Sequence, residues 1–520
     1  MKHLKNKFTL FLIILLAFVF RIYGLNWDSG HHLHPDERMI IMTVQKITLT
    51  SLNPKFFAYG SLPLYLLKGT ATLLSPLIHS IATYDHINLF GRFISALADS
   101  LLIFLIFKIT FTLTQNRRQS LIASVFYATL VFPVQLSHFY AVDTLLNLFI
   151  FFTLWRLIIF AKKPRPQNII LVSLGMAAAL STKVSALFLV LPLVISLFSL
   201  KKIKTIFINS FLILFFTLLF SFIFQPFAFL DFPTFWTQIN QQRAMTGNAF
   251  VFPYTLQYVN TLAYLYPLKN IFLWGLGPAF SLLVLLGLFI FIKKPKHIHL
   301  PHLIVFLFCL FYFFVVGRFA VKFMRYYLPL YPVFAILASF AAQKLKKLSL
   351  IFLLPHLFYL LAFLSIYAKP NTRVQATDWI IQNVPAGSTI AREHWDDGLP
   401  LGYHSYQYID LPLYDPDTDQ KWQKINQQLE ESDYLIIASN RLYTPLSRLT
   451  NCADLPPGHC YTQTTQYYQD LFSGQLNYRK VAEFASYPNF LGITINDQSA
   501  DESFTVYDHP QVMIFQKQTK

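Results

Sequence analysis

The sequence predicts an α-helical polytopic membrane protein that carries a C-terminal exterior α/β domain, and three observations lead there. Of 520 residues, 55% are hydrophobic and 17% aromatic, while only 13% are charged, against roughly 25% in an average soluble domain. So little polar surface cannot cover a soluble globule, and a bilayer must take the apolar excess. Charge then divides the chain: residues 1–367 hold 31 Lys and Arg against 7 Asp and Glu, a net of +24, whereas 368–520 hold 11 against 18, a net of −7. Finally, long apolar runs fill the first part and stop abruptly at its end. A disordered chain, a collagen-like rod and a cytosolic enzyme are excluded. The predicted division is a membrane-embedded part, 1–367, and a soluble part, 368–520.

The elements follow in order. MKHLKNK precedes an apolar stretch from Phe8 to about Leu25 with no small-residue cleavage site after it, which reads as an uncleaved first span with its basic end in the cytosol. Further runs long enough to cross appear at about 87–113, 119–136, 139–161, 168–182, 184–200, 204–225, 268–292, 301–317, 325–343 and 348–367. Segment 61–83 is apolar too, but holds two prolines, Lys68 and His79. The basic clusters NRRQ, KKPRP, KKIK, KKPKH and KLKK are expected in the cytosol, because loop charge sets orientation. All fit if 61–83 lies in the interface or re-enters, which gives 11 crossings and an exterior tail; 11 to 13 spans are accepted. Past residue 368, TDWIIQNVPAGSTIARE reads as helix, turn and strand. SDYLIIAS and HPQVMIFQK read as strands, with DQKWQKINQQLEES as a helix.

The formal charge of +17 does not signal nucleic acid, since no basic stripe with interleaved aromatics appears in a soluble segment. Three cysteines are few. Cys309 lies in an apolar run and reads as a packed thiol. Cys452 and Cys460 bracket CADLPPGHC, a short loop that a disulfide closes in an oxidising compartment, a weak sign that the tail is exported. A zinc site there has only His459 as a third ligand.

On this topology six of the seven acids of residues 1–367 fall on the exterior side, and Asp99 alone lies within a span. The first motif is WDSGHHLHPDERMI, directly after the first span. Asp36 and Glu37 there read either as acids favoured at a helix N-terminus or as a general base near the membrane surface. His31, His32 and His34 with Asp36 are a weak metal candidate, because adjacent histidines are not a recognised ligand spacing. The second motif, SHFYAVDTLLNLF, puts Asp143 at the membrane boundary, where an ionisable group is costly unless paired or functional; His138 beside it reads as an interface histidine. The third is a cation set: Lys183 in STKVSA, and Arg318, Lys322 and Arg325 in GRFAVKFMRYYLPLYP. They read as snorkelling side chains or as a phosphate site, and spacings of 4 and 3 would put the last three on one helical face. Arg38 and Arg92 also break the exterior charge bias. In the tail, REHWDDGLP gathers Glu393, His394, Asp396 and Asp397, read as a solvated loop or a sugar or metal contact. No P-loop, GxGxxG, HExxH or GxSxG occurs.

The order of HPDE after a first span, YGSLPLYLL, GRFISAL, SHFYAVDTLLNLFIFF and RYYLPLYP resembles the GT-C membrane glycosyltransferases, nearest to the protein O-mannosyltransferase and lipid A aminoarabinose transferase group. The resemblance covers roughly residues 8–367. It implies an integral membrane glycosyltransferase in the plasma membrane. Such an enzyme moves a hexosyl or pentosyl unit, with inversion, from a polyprenyl-phosphate donor to an acceptor hydroxyl or amine on a lipid, glycan or protein. On that likeness Asp36 matches the proposed base and Asp143 a second acidic position, with Glu37 as alternative base. His34, Arg38, Arg92, His138, Lys183, Arg318, Lys322 and Arg325 are the substrate-binding candidates. No cofactor is required, and a divalent metal stays open. The rival readings are a transporter or flippase of lipid-linked sugars and a non-catalytic scaffold. Tolerance of Asp36→Asn separates the scaffold from the transferase.

Overall fold

The structure is a computed structural model that describes residues 2–293, 298–402 and 406–518; most of the KKPKH cluster, 294–297, lies outside the described residues. The chain forms two compact units. The first comprises residues 1–25, 36–243 and 263–364, and the second 26–35, 244–262 and 365–520.

The first unit is helical. Its leading helices are α1 (Lys2–Ile22), α2 (Pro35–Lys46), α3 (Leu62–Leu74), α4 (Tyr84–Thr114), α5 (Arg117–Ala128), α6 (Val131–Ser137), α7 (Asp143–Lys162) and α8 (Pro166–Leu180). Further apolar helices lie at Val190–Phe198, Ile203–Phe224, Pro278–Ile292, Leu300–Val316, Tyr331–Leu345 and Leu350–Leu364. Each apolar run read from the sequence is helical here. Among the described residues, four helical stretches suffice by length and composition to cross a membrane, or six if two bent pairs each count as one; the expected count of 11 to 13 includes shorter helices as well. One bent pair departs from the expected straight span at 268–292: Leu265–Gly275 meets Pro278–Ile292 at 119°. The hinge holds Gly277 at φ +78°, a left-handed backbone that a side chain disfavours, and Pro278 removes an N–H that would continue the helix. Helix α3, at 13 residues, is about 20 Å long at 1.5 Å per residue, short of the roughly 30 Å hydrocarbon core.

Helix α4 packs against α1, α5 and α7, and polar groups buried among them are paired. Asp99 of α4 accepts from Arg21 Nε of α1 at 2.7 Å and from the Tyr127 hydroxyl of α5 at 2.6 Å, with both charged side chains at 0% exposure. Arg21 Nη1 also donates to the carbonyls of Ala17 and Ala128. Pairing is what makes an ionised group tolerable at such depth.

The second unit holds a five-stranded sheet of β1 (Thr389–Glu393), β2 (Gln407–Leu411), β3 (Tyr434–Ile437), β4 (Tyr478–Phe484) and β7 (Val512–Lys517), in the order β2-β1-β3-β7-β4. Strands β5 (Asn489–Phe490) and β6 (Ile493–Thr494) form a separate pair. β1 runs parallel to both β2 and β3, and β7 is antiparallel to β3 and β4. Helices Thr372–Asn383, Asp419–Glu431 and Thr462–Ser473 accompany the sheet, whose strands β1 and β3 are almost wholly buried. Cys452 and Cys460 are joined by a disulfide, and Cys309 is a buried free thiol.

Candidate active site

Helix α2 opens with Pro35, whose fixed φ suits a first helical turn, followed by Asp36 and Glu37 at the positive end of the helix dipole. Neighbouring helical residues diverge by about 100°, and the two carboxyls part company. Glu37 turns inward to 0% exposure. It accepts from Arg92 through Nε at 3.1 and 3.0 Å and Nη2 at 2.6 Å, and from the Tyr140 backbone N–H at 2.9 Å. Arg92 also donates to the Leu25 carbonyl. This buried pair ties α2 to α4 and to the turn ahead of α7.

Asp36 keeps 22% of its side chain exposed. The Tyr59 hydroxyl donates to its Oδ1 at 2.8 Å, and Arg325 Nη1 donates to its Oδ2. Gly60 explains how Tyr59 reaches this place. The Gly60 and Leu62 N–H groups each donate at 3.0 Å to the carbonyls of Thr182 and Ser181. A Cβ at Gly60 would lie 1.9 Å from the Ser181 oxygen, so only glycine permits the approach. The two loops lie backbone to backbone, which sets Tyr59 beside Lys183.

Lys183 Nζ donates to Asp143 Oδ1 at 2.9 Å and lies 5.9 and 5.0 Å from the ring centroids of Tyr59 and Tyr326. Asp143 begins α7 after Val142, whose φ of +57° is rare for a β-branched residue; such strain persists where the surroundings over-determine a conformation. Arg325 and Tyr326 occupy the short 3₁₀ turn Met324–Leu330. Asp36, Tyr59, Asp143, Lys183, Arg325 and Tyr326 therefore form one cluster, two carboxylates facing two cations across a shared tyrosine. Asp143 Oδ2 and Arg325 Nε are buried without a hydrogen-bond partner among the described residues, so the cluster retains an acceptor and a donor.

The other candidates lie in different settings. Arg318 and Lys322 do not share a helical face with Arg325, because helix Leu300–Val316 ends before Gly317 and residues 317–323 run as turn and coil. Arg318 is exposed, while Lys322 is buried and donates to the Ala320 carbonyl at 2.9 Å. Both nitrogens of His138 face backbone carbonyls, of Val134 at 2.8 Å and Tyr23 at 2.9 Å, a packing role. His34 belongs to the second unit, its ring 4.1 Å from that of Tyr507. Arg38 is half-buried on α2. Sequence reasoning did not single out Tyr59 or Tyr326, although both stand in the quoted motifs YGSLPLYLL and RYYLPLYP; a phenol next to a tight glycine turn in a polar loop was the available signal.

Among the described residues no group of three or more His, Cys, Asp or Glu side chains is poised to hold a metal, and Asp36 and Asp143 each face a cation. This donor set does not fit a divalent ion, and no step is routed through one.

Comparison with known proteins agrees with this architecture. Residues 77–229 match the family model of dolichyl-phosphate-mannose-protein mannosyltransferases. No curated protein matches the chain in sequence. Among solved structures, the chain is similar to the Archaeoglobus fulgidus oligosaccharyltransferase in its apo form, with a TM-score of 0.55 at 12% identity over 98% of this chain and 88% of that one. The archaeal oligosaccharyltransferase AglB from the same organism, in complex with an inhibitory peptide and a dolichol-phosphate, gives 0.53 at 12% identity over 99% and 89%. ArnT from Cupriavidus metallidurans in the apo state gives 0.50 at 12% identity over 85% and 94%. The class is thus a multi-pass membrane protein with the GT-C fold. The chain shares the fold of these membrane glycosyltransferases, and its segment 77–229 matches the mannosyltransferase family model.

Proposed function

We propose that this protein transfers a sugar from a polyprenyl-phosphate donor to an acceptor hydroxyl or amine on the exterior face of the membrane. Its membrane part is taken as 1–367, with 368–520 as an exterior soluble domain. The observation that carries the reading is the Asp36 carboxylate, partly open to solvent and held between Arg325 and Tyr59, whose ring lies 5.9 Å from Lys183 Nζ. Asp36 is the base: it takes the proton from the acceptor group, whose lone pair attacks the anomeric carbon. The bond from that carbon to the phosphate oxygen breaks, and its electron pair leaves with the lipid phosphate. Attack from the face opposite the leaving group inverts the anomeric centre.

Leaving phosphate needs cationic stabilisation as charge develops on it. Arg325 serves this through its unpartnered Nε–H, and a guanidinium suits phosphate geometry. Lys183 supplies a second positive charge, oriented by Asp143. Support for the donor class comes from the fold neighbour AglB, whose structure holds a dolichol-phosphate, and from the matching mannosyltransferase model.

The test is sugar transfer from a panel of polyprenyl-phosphate sugars by purified protein in lipid, with and without Asp36→Asn. Transfer that disappears in a folded, inserted variant supports the assignment. Equal activity in the variant removes Asp36 as base. Movement of lipid-linked sugar between leaflets without transfer to any acceptor overturns the enzyme reading.

A further inference from the structure

The hairpin β5–β6 carries the two most exposed large apolar side chains among the described residues from 365 onward, Leu491 at 81% and Ile493 at 58%. Phe490 pairs with Ile493 across the ladder, which leaves Leu491 and Gly492 as a two-residue loop with φ of +51° and +82°. A hairpin loop with both central residues left-handed selects Asn-Gly or Asp-Gly. Here a leucine takes the first place, where a side chain of its size strains the backbone, and it stays uncovered. Charge is missing as well. From Phe484 to Asn496 the sequence FASYPNFLGITIN has no Asp, Glu, Lys or Arg, although Glu483 and Asp497 flank it. Such a tip is ill suited to water.

The chain itself indicates what covers it. Residues 348–368, between Lys347 and Lys369, hold no Asp, Glu, Lys or Arg, and a run of about 20 such residues crosses the hydrocarbon core. They include the helix Leu350–Leu364 and, directly after it, the 3₁₀ turn Ser365–Ala368. Lys369 ends the crossing, because an ammonium at the end of a span reaches for water. The hairpin is fastened to the turn before it: the Asn489 N–H donates to Ser365 Oγ at 3.0 Å, and β5 packs against Ser365–Ala368. At roughly 2 Å of rise per residue in a 3₁₀ turn, Ser365 lies about 8 Å inside Lys369 along the span. Side chains anchored at Ser365 therefore stand at the edge of the hydrocarbon.

We propose that the β5–β6 hairpin is a lipid-inserting tip, which places Leu491 and Ile493 among the acyl chains of the leaflet where the span 348–368 ends. It adds a non-covalent hold on the bilayer to the covalent link at Ser365, and the apolar loop residue is retained because lipid, not water, surrounds it. The proposal rests on reading 348–368 as a span and is independent of sugar transfer.

The experiment is depth-dependent fluorescence quenching on the full-length protein in lipid nanodiscs. Cys309 is buried and Cys452 and Cys460 are bridged, so an added cysteine takes an environment-sensitive dye alone. Leu491→Cys and Ile493→Cys are labelled in separate samples, with Lys424→Cys, exposed on the helix Asp419–Glu431, as reference. Dye at 491 and 493 should emit at shorter wavelength than at 424. It should lose at least half its intensity in phospholipid brominated near the top of the acyl chain, and less in phospholipid brominated near the chain end. Dye at 424 should keep its intensity in both. Asp36→Asn should leave this pattern unchanged, which separates the tip from the membrane cluster. Dye at 491 and 493 that is no more quenched than at 424, in protein that has entered the nanodisc, overturns the proposal.

Discussion

Tyr59 joins two ion pairs that are far apart in sequence: its hydroxyl holds Asp36 at 2.8 Å, and its ring lies 5.9 Å from the ammonium of Lys183. One side chain thus orients the carboxylate paired with Arg325 and faces the cation paired with Asp143. A hydrogen bond to a charged group is worth about 1.5–3 kcal/mol. Tyr59→Phe is expected to lower kcat by roughly 10- to 100-fold at that value, with donor KM little changed, because the ring stays in place. Steady-state kinetics on the purified protein measure it, and an unchanged kcat would remove Tyr59 from the positioning of Asp36.

Lys183 is the cation most directly set against Asp143. Lys183→Met leaves Asp143 buried and unpaired, whereas Lys183→Met with Asp143→Leu removes both charges. Breaking a buried pair from one side costs about 3–5 kcal/mol, while replacing both partners is often neutral. The single variant should therefore lose both stability and transfer. The double variant should recover thermal stability but stay inactive. Restored activity would show that the pair only builds the fold.

Arg21 and Asp99 provide the matching case without an active-site role. Both are fully buried and 2.7 Å apart. Arg21→Met is expected to lower the unfolding temperature in detergent sharply, and Arg21→Met with Asp99→Leu to restore most of it. Transfer activity per folded molecule should change little in the double variant. A loss of turnover there would tie the α1–α4 pair to catalysis.

His509 gives the second unit a pH signature. Its Nε2 faces Asp497 at 2.9 Å and its Nδ1 faces Asp508 at 2.5 Å, and Asp508 also accepts from the Tyr367 hydroxyl. Although burial alone would lower it, the two carboxylates raise the imidazole to about 10. The folded state then holds a proton that the unfolded chain releases near 6.5. This stabilisation is fully present below about 6.5 and is lost as pH rises through about 10. Glu502, raised to about 7 by burial, acts in the same sense over a lower window: folding favours its neutral form, so stability falls as pH rises from about 4.5 to 7. Melting temperature against pH for His509→Gln should lack the alkaline decline; a variant curve parallel to the original would refute it.

The Cys452–Cys460 bridge reports sidedness. In intact cells a membrane-impermeant maleimide should label both cysteines only after mild reductant, because both lie in an exposed loop. Cys309, buried in an apolar helix, should stay unlabelled. Labelling that requires permeabilised cells would place the second unit on the cytosolic side.

Composition and periodicity determined much of this protein without its structure. The apolar helices, the acidic composition of the tail and the helix-turn-strand order after residue 368 are local properties, readable because burial imposes a period on each segment alone. Asp36, Asp143, Lys183 and Arg325 stood out for a related reason, since charge at the edge of an apolar run is expensive wherever the run ends up. Tertiary structure decided which of them meet. Asp36 and Arg325 are 289 residues apart, and no spacing rule links them. Glu37, beside Asp36, is turned inward to Arg92 because α2 packs on α4 by that face. Arg318 and Lys322 fall away from Arg325 because a helix ends at Val316. Ion-pair choice belongs to the way helices pack, and packing is a property of the whole chain.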